Sequence, residues 1–225
     1  MMGSLFSVFD PVGWGGFSLN WFSVILGGLF LPLLFWVSPS RVGFLLNYLF
    51  KFLTLEFSVL LGLQGSGVLI ISFISLFVFI LGSNLLGLLP FIFTGSSHLV
   101  FTLGLALPIW VSVISYGCFY HINNMFSHLV PQGTPWYLVS FMVCIELISN
   151  VIRPGTLSLR LAANMTAGHL LIALMGGQGY GLGLFILSFL LFGQMLLLLL
   201  ELAVAFIQSY VFSMLSVLYV GEVLE

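Results

Sequence analysis

Long apolar runs separated by short polar stretches make up most of the chain. Three of them, Phe17 to Val37, Val68 to Leu89 and Leu99 to Tyr120, hold about the 20 apolar residues that a bilayer-spanning helix needs. Pro32 and Pro108 lie inside two of these runs and predict kinks that neighbouring helices accommodate. Residues 40–60 are patterned differently. Ser40, Asn47, Lys51, Thr54 and Ser58 fall within roughly 60° of one another at 100° per residue, which predicts an amphipathic helix lying on the membrane surface.

In the last third, Tyr137 to Met175 and Gly181 to Val220 each run for about 40 residues, roughly 60 Å as helix and twice the hydrocarbon thickness. Their only interruptions are Pro154-Gly155 and Gly193, with no polar turn at either place. Each is therefore predicted as one long, strongly tilted helix, and GGQGYGLG at Gly176 to Gly183 joins the two as a hairpin. Oblique helices at membrane depth require protein on one side, so a large partner is expected. The fold class is all-α integral membrane: a single domain of five membrane helices plus one amphipathic surface helix.

Composition supports this class. Of the 225 residues, 61% are hydrophobic and only 4% charged, against about 25% charged in a soluble domain. Four Lys plus Arg and a net charge of −2 leave no basic surface for nucleic acid, whose phosphates demand many cations. Neither a Walker-type run nor a strand-flanked dinucleotide fingerprint occurs. Cys118 and Cys144 lie in apolar runs, where a thiol is expected as a small buried hydrophobe. The start, MMGSLFSVFDP, lacks the cations of a secretory or transit segment, so the chain is expected to be made where it is used. Arg41 and Lys51 are the only cations outside the last third and, by the positive-inside rule, put the surface helix inside and the N-terminus outside.

Four of the ten charged side chains, Glu146, Arg153, Arg160 and Glu201, lie within the two long segments, together with His169, Gln194 and Gln208. Charge inside a membrane is costly and by default marks function. Glu146, Arg153 and Arg160 are spaced by seven, as are Gln194, Glu201 and Gln208, so each long helix carries one polar stripe that drifts only about 20° per step. Antiparallel packing with Arg160 opposite Gln208 would set Glu146 opposite Glu222 and bring His169 level with Glu201. The second helix would then begin with two or three turns overhanging the first. His169 lies roughly 180° around its helix from Arg160 and should open onto a different environment. Arginine does not release its proton, whereas Glu146, Glu201 and His169 can serve as proton stations. Titratable groups interrupted by a permanent cation make two half-pathways with a barrier between them.

The run IELISNVIRPGTLSLRLAANMTAGHLL, Ile145 to Leu171, resembles the signature of the subunit a (subunit 6) family of the mitochondrial F-type ATP synthase. So do NLLGLLP at Asn84 to Pro90, HLVPQGTP at His128 to Pro135 and LELAVAFIQSYVF at Leu200 to Phe212. The resemblance implies a stator against which a ring of proteolipid hairpin subunits turns, each carrying one membrane carboxylate. Further implied partners are the peripheral stalk, the other membrane-sector subunits, the lipid bilayer and protons, with no cofactor. Arg160 matches the fixed charge, Gln208 the neighbouring glutamine and Asn164 the asparagine one turn on. Glu201 and His169 match the pair of the outer half-channel. Bacterial relatives resemble a version with acid and histidine exchanged, so the mitochondrial inner membrane is the implied location. Glu146 matches the acid of the inner half-channel, and Glu222 lies in the region to join it.

Arg153 is read as structural, bonding carbonyls freed beside Pro154 or touching another subunit, and Gln194 as helix packing. His98, His121 and His128 are read as solvated loop residues. Two alternatives from other classes are a self-contained secondary transporter or channel, which would show internal repeats, and a proton-pumping subunit of a respiratory complex, which would spread ionisable residues over several spans. The first 120 residues do not echo the last 90.

Overall fold

The computed structural model describes residues 9–12, 18–29, 40–62, 66–89, 92–120, 136–179 and 183–224. Among the described residues six α-helices follow one another: α1 (Phe22–Leu29), α2 (Arg41–Leu61), α3 (Gly67–Gly87), α4 (Leu99–Tyr120), α5 (Val139–Gly177) and α6 (Leu184–Leu224). Helices α2 to α6 are each long and apolar enough to cross a membrane. The fold is an all-α polytopic membrane fold. Pro32, the second half of the first predicted span, and the loop carrying His121, His128 and the HLVPQGTP run lie outside the described residues.

The predicted hairpin forms as two unbroken helices of 39 and 41 residues, about 59 and 62 Å at 1.5 Å per residue. Pro154 sits inside α5 without ending it, and Pro108 does the same in α4. Around this hairpin α3 packs on α6, α4 on α5, and α1 on α3. One apolar core joins Leu53, Phe57 and Leu61 of α2 to Phe73 and Phe77 of α3 and to Val217 and Val220 of α6. A second joins Ile80, Ala106, Leu157, Leu161 and Phe212, so that α3, α4, α5 and α6 meet at one level.

Helix α2 begins at Ser40, whose hydroxyl accepts from the Gly43 amide at 3.1 Å, an N-cap that satisfies a free helix-end donor. It ends at Gly62, where φ is +60°, a conformation glycine adopts freely. The helix has three faces. Leu53, Phe57 and Leu61 are buried against the bundle, the polar stripe through Asn47, Lys51 and Thr54 flanks them, and Leu45, Tyr48, Phe52 and Val59 stand exposed beyond it. Tyr210 Oη of α6 donates to Glu56 Oε2 at 3.0 Å and ties α2 to the hairpin.

Two expectations are corrected. Cys118 and Cys144 lie on exposed helix surfaces, not in the core, because in a membrane protein an apolar run faces lipid as readily as the core. His98 is half-buried between Trp21 and Phe93, with ring centroids at 5.5 and 5.1 Å.

Since lipid tails are as apolar as leucine, helix association rests on close packing and small residues. A Cβ at Gly82 would sit 2.6 Å from the Gly27 carbonyl oxygen, a rigid backbone atom. Gly82→Leu should therefore separate α1 from α3 at a cost of about 1–3 kcal/mol. The measurement is the thermal unfolding midpoint of the purified complex in detergent, and an unchanged midpoint would contradict this packing.

Candidate functional site in the long hairpin

The hairpin register follows from its closest approaches. A methyl on Gly176 would meet Gln194 Nε2 at 3.6 Å, one on Gly193 would meet Met175 Cε at 4.0 Å, and one on Gly168 would land 2.6 Å from Glu201 Cδ. The level predicted for His169 and Glu201 is thus present. Residues 184–191 extend past the end of α5, as the overhang required, and expose Phe185, Ile186, Phe189 and Leu191.

At this end Glu201 is buried, 8% exposed, and neither of its carboxylate oxygens has a hydrogen-bond partner among the described residues. The same holds for the buried Nε2 of His169. Glycine at 168 is what admits the acid, since any side chain there would overlap the carboxylate. An unpaired buried polar group costs roughly 1–3 kcal/mol, so this is an expensive place to keep two titratable groups.

A second set of buried polar side chains lies nearby. Asn84 is fully buried, and among the described residues neither of its amide atoms, nor the buried Ser96 Oγ, nor the buried His98 Nε2, has a hydrogen-bond partner. Thr94, Ser97 and Thr102 surround them in sequence and are also buried. Thr94 Oγ1 donates to Ser97 Oγ at 3.1 Å, and Ser97 Oγ donates to the Thr94 carbonyl at 2.7 Å. The short turn Gly95–Ser97 packs on α5 and on α3. Helices α4 and α5 run antiparallel, with Trp110 beside Pro154 and Ala106 in the cluster with Leu157 and Leu161. Two more turns of that register carry Thr102 and His98 level with Met165 and His169. Sequence reasoning missed this nest. Its one available signal was Asn84, an amide inside an otherwise apolar span.

In the middle of α5, Arg160 is exposed on a face shared with Ala163, Asn164 and Ala167. Among the described residues no carboxylate lies within 4.0 Å of its guanidinium. Gln208 on α6 is half-buried, and among the described residues no hydrogen bond joins it to Arg160. Nine residues separate Arg160 from His169, about 14 Å along the helix, and fourteen separate it from Glu146, about 21 Å.

At the other end Arg153 Nη1 donates to Glu222 Oε2 at 2.8 Å, and its Nη2 lies 3.5 Å from Glu146 Oε1. The guanidinium also stands over the Tyr219 ring, 5.2 Å from its centroid. Among the described residues the Arg153 side chain takes no carbonyl beside Pro154 but bridges the two carboxylates expected at the inner half-channel. Glu222 reaches Arg153 because α6 stays helical to Leu224. Among the described residues no group of three or more His, Cys, Asp or Glu gathers as metal ligands would.

The architecture defines a class of protein: a polytopic membrane chain whose ionisable groups concentrate on one long helical hairpin. The family model described as "ATP synthase A chain" matches residues 17–221. "ATP synthase subunit a" of Drosophila melanogaster is 54% identical over 223 residues, covering 99% of this chain and 100% of the relative. The proteins of that name from Locusta migratoria and Aedes aegypti are 54% and 53% identical at the same coverage. The chain belongs to the ATP synthase A chain family and is accordingly a membrane-sector subunit of an ATP synthase.

The Gly168 cradle makes a test possible. Gly168→Ala should push the Glu201 carboxylate aside and lower passive proton flux through the membrane sector by up to about a hundredfold, the scale expected when a participating group is misplaced by about 1 Å. Shortening the acid in the same background, Gly168→Ala with Glu201→Asp, should recover part of the flux. Equal flux in Gly168→Ala and wild type would show that the glycine does not set the position of the acid.

Proposed function

We propose that this chain is the proton-translocating stator of a rotary ATP synthase in the mitochondrial inner membrane. Two offset half-channels serve the carboxylates of a rotating proteolipid ring, and Arg160 separates them. The observation that carries the reading is the position of Arg160. It is an exposed cation with no carboxylate partner among the described residues, on a smooth face of Ala163, Asn164 and Ala167, between one titratable pair at each end of the hairpin. A cation inside a membrane without a partner of its own is expensive; a carboxylate arriving from another subunit would supply that partner.

A proton enters from the intermembrane side past Glu201 and His169, with the buried Asn84 and Ser96 and the half-buried His98 beside that inlet. It neutralises a ring carboxylate, is carried through lipid for nearly a full turn, and leaves past Glu146 and Glu222 into the matrix. Gln208 and Asn164 flank Arg160 at the crossing. The guanidinium attracts an ionised ring carboxylate with about 4 kcal/mol at 4 Å and an effective dielectric of 20, which favours loss of the proton and lets the charged group pass. The driving field adds about 2.3 kcal/mol per proton per 100 mV. The chain itself makes and breaks no covalent bond of ATP, whose chemistry belongs to a separate catalytic head.

The N-terminus faces the intermembrane space and the C-terminus the matrix. Helix α2 lies along the inner surface with its polar stripe towards water and its exposed apolar face towards acyl chains. The peripheral stalk and other membrane-sector subunits hold the chain against the torque of the ring. The long hairpin crosses obliquely, because helices of this length exceed a hydrocarbon core of about 30 Å.

Arg160→Ala should abolish proton-driven ATP synthesis in sealed vesicles while ATP hydrolysis by the detached head continues at its normal rate. Glu201→Gln should slow proton uptake from the outer side and leave the assembled ring in place. Coupled synthesis surviving in the Arg160→Ala complex would remove the barrier role and with it the two-channel reading.

A further inference from the structure

The inner cluster holds more than two exit carboxylates. Glu146 on α5, Glu222 at the end of α6 and Arg153 one helical stripe above Glu146 form a three-membered ion cluster, backed by the ring of Tyr219. The contacts are unequal. Arg153 Nη1 makes a short hydrogen bond to Glu222 at 2.8 Å, whereas Nη2 only approaches Glu146 at 3.5 Å. Cation and ring lock the guanidinium from a third side, since a cation over an aromatic face is held by the ring quadrupole. Two carboxylates and one guanidinium leave the cluster one negative charge in excess. It can take up one proton and become neutral.

We propose that Arg153 is a positioning residue of the proton outlet: it holds Glu222 as a standing counter-charge and leaves Glu146 as the carboxylate that accepts and releases the proton. This rests on the stator reading and assigns different work to the two acids. The step balances simply. A protonated group on the ring side gives its proton to the Glu146 carboxylate and becomes anionic, and Glu146 then gives the same proton to water on the inner side. Glu222 keeps its hydrogen bond to Arg153 throughout. Without the Arg153–Glu222 bond, Glu146 would either face a second bare carboxylate or be drawn into pairing with Arg153 itself.

The clamp is also mechanical. The bond links the first half of α5 to the last turn of α6, residues 69 apart in sequence, and so holds the open end of the hairpin closed. Charge and mechanics predict different outcomes when both partners are removed. Arg153→Gln with Glu222→Gln deletes the clamp but restores the single excess negative charge on Glu146.

The experiment measures passive proton flux in vesicles carrying the assembled ATP synthase with the catalytic head stripped, together with the amount of ring that co-purifies. Glu222→Gln should lower flux about tenfold, because Arg153 then neutralises Glu146, and the double variant should return to within about threefold of wild type, a coupling of the size double-mutant cycles resolve. Glu146→Gln should lose flux in both backgrounds. A double variant no better than the poorer single variant would overturn the assignment and leave Arg153 a structural clasp. Wild-type flux in Glu146→Gln would instead sink the underlying outlet reading. Should Arg153→Gln fail to assemble, Arg153→Lys keeps the charge but loses the fork that holds two acids; it should retain more flux than Glu222→Gln, and flux as low as in that variant would count against the proposal.

Discussion

Charge in an oily interior is the constraint on which this structure turns. A cation at the centre of a membrane helix costs about 2.5–3.5 kcal/mol even on the mildest scale, and the chain carries two cations on α5. They are handled in opposite ways. Arg153 is enclosed by two carboxylates and an aromatic ring, whereas Arg160 stands on an exposed face with no such neighbour among the described residues. Seven residues apart on one stripe, they show that the difference lies in what the neighbouring helix offers at each level.

That neighbour is α6, and the hairpin register is what delivers its groups. Glycine positions along the seam let the helices approach, and at Gly168 the space of a missing side chain is filled by the Glu201 carboxylate. The same register places Glu222 where Arg153 can reach it. A shift of one residue would rotate each polar group by about 100° and separate both pairs. The two titratable ends of the site are therefore properties of one alignment.

The remaining helices serve this alignment. The Ile80, Ala106, Leu157, Leu161 and Phe212 cluster fixes α3 and α4 against the hairpin at mid-height. One end of that scaffold carries the polar nest of Asn84, Ser96 and His98 to the level of His169. At the other, α2 is pinned by Leu53, Phe57 and Leu61 and by the Tyr210–Glu56 bond. Apolar surface is left over on nearly every helix, which suits a chain solvated by acyl chains and by other subunits.

Much of this was legible in the one-dimensional pattern. For α2 to α6, span length and apolar periodicity set the helix boundaries to within a few residues, because backbone groups in lipid must be satisfied within each helix. Sevenfold spacing marked Glu146, Arg153 and Arg160 as one stripe, and facing polar levels foretold that His169 and Glu201 lie at one height along the hairpin. By length and hydropathy α2 qualifies as a span like its neighbours, so its surface placement rests on the polar stripe alone. The partners of Arg153, the packing of His98 between Trp21 and Phe93 and the cradle at Gly168 were beyond reach of the sequence. Each depends on where a side chain from a distant segment ends, a matter of angstroms across a helix contact. Periodicity along one helix determined which groups share a face; only the packing of that face against another helix decided which charges are partnered and which stand open.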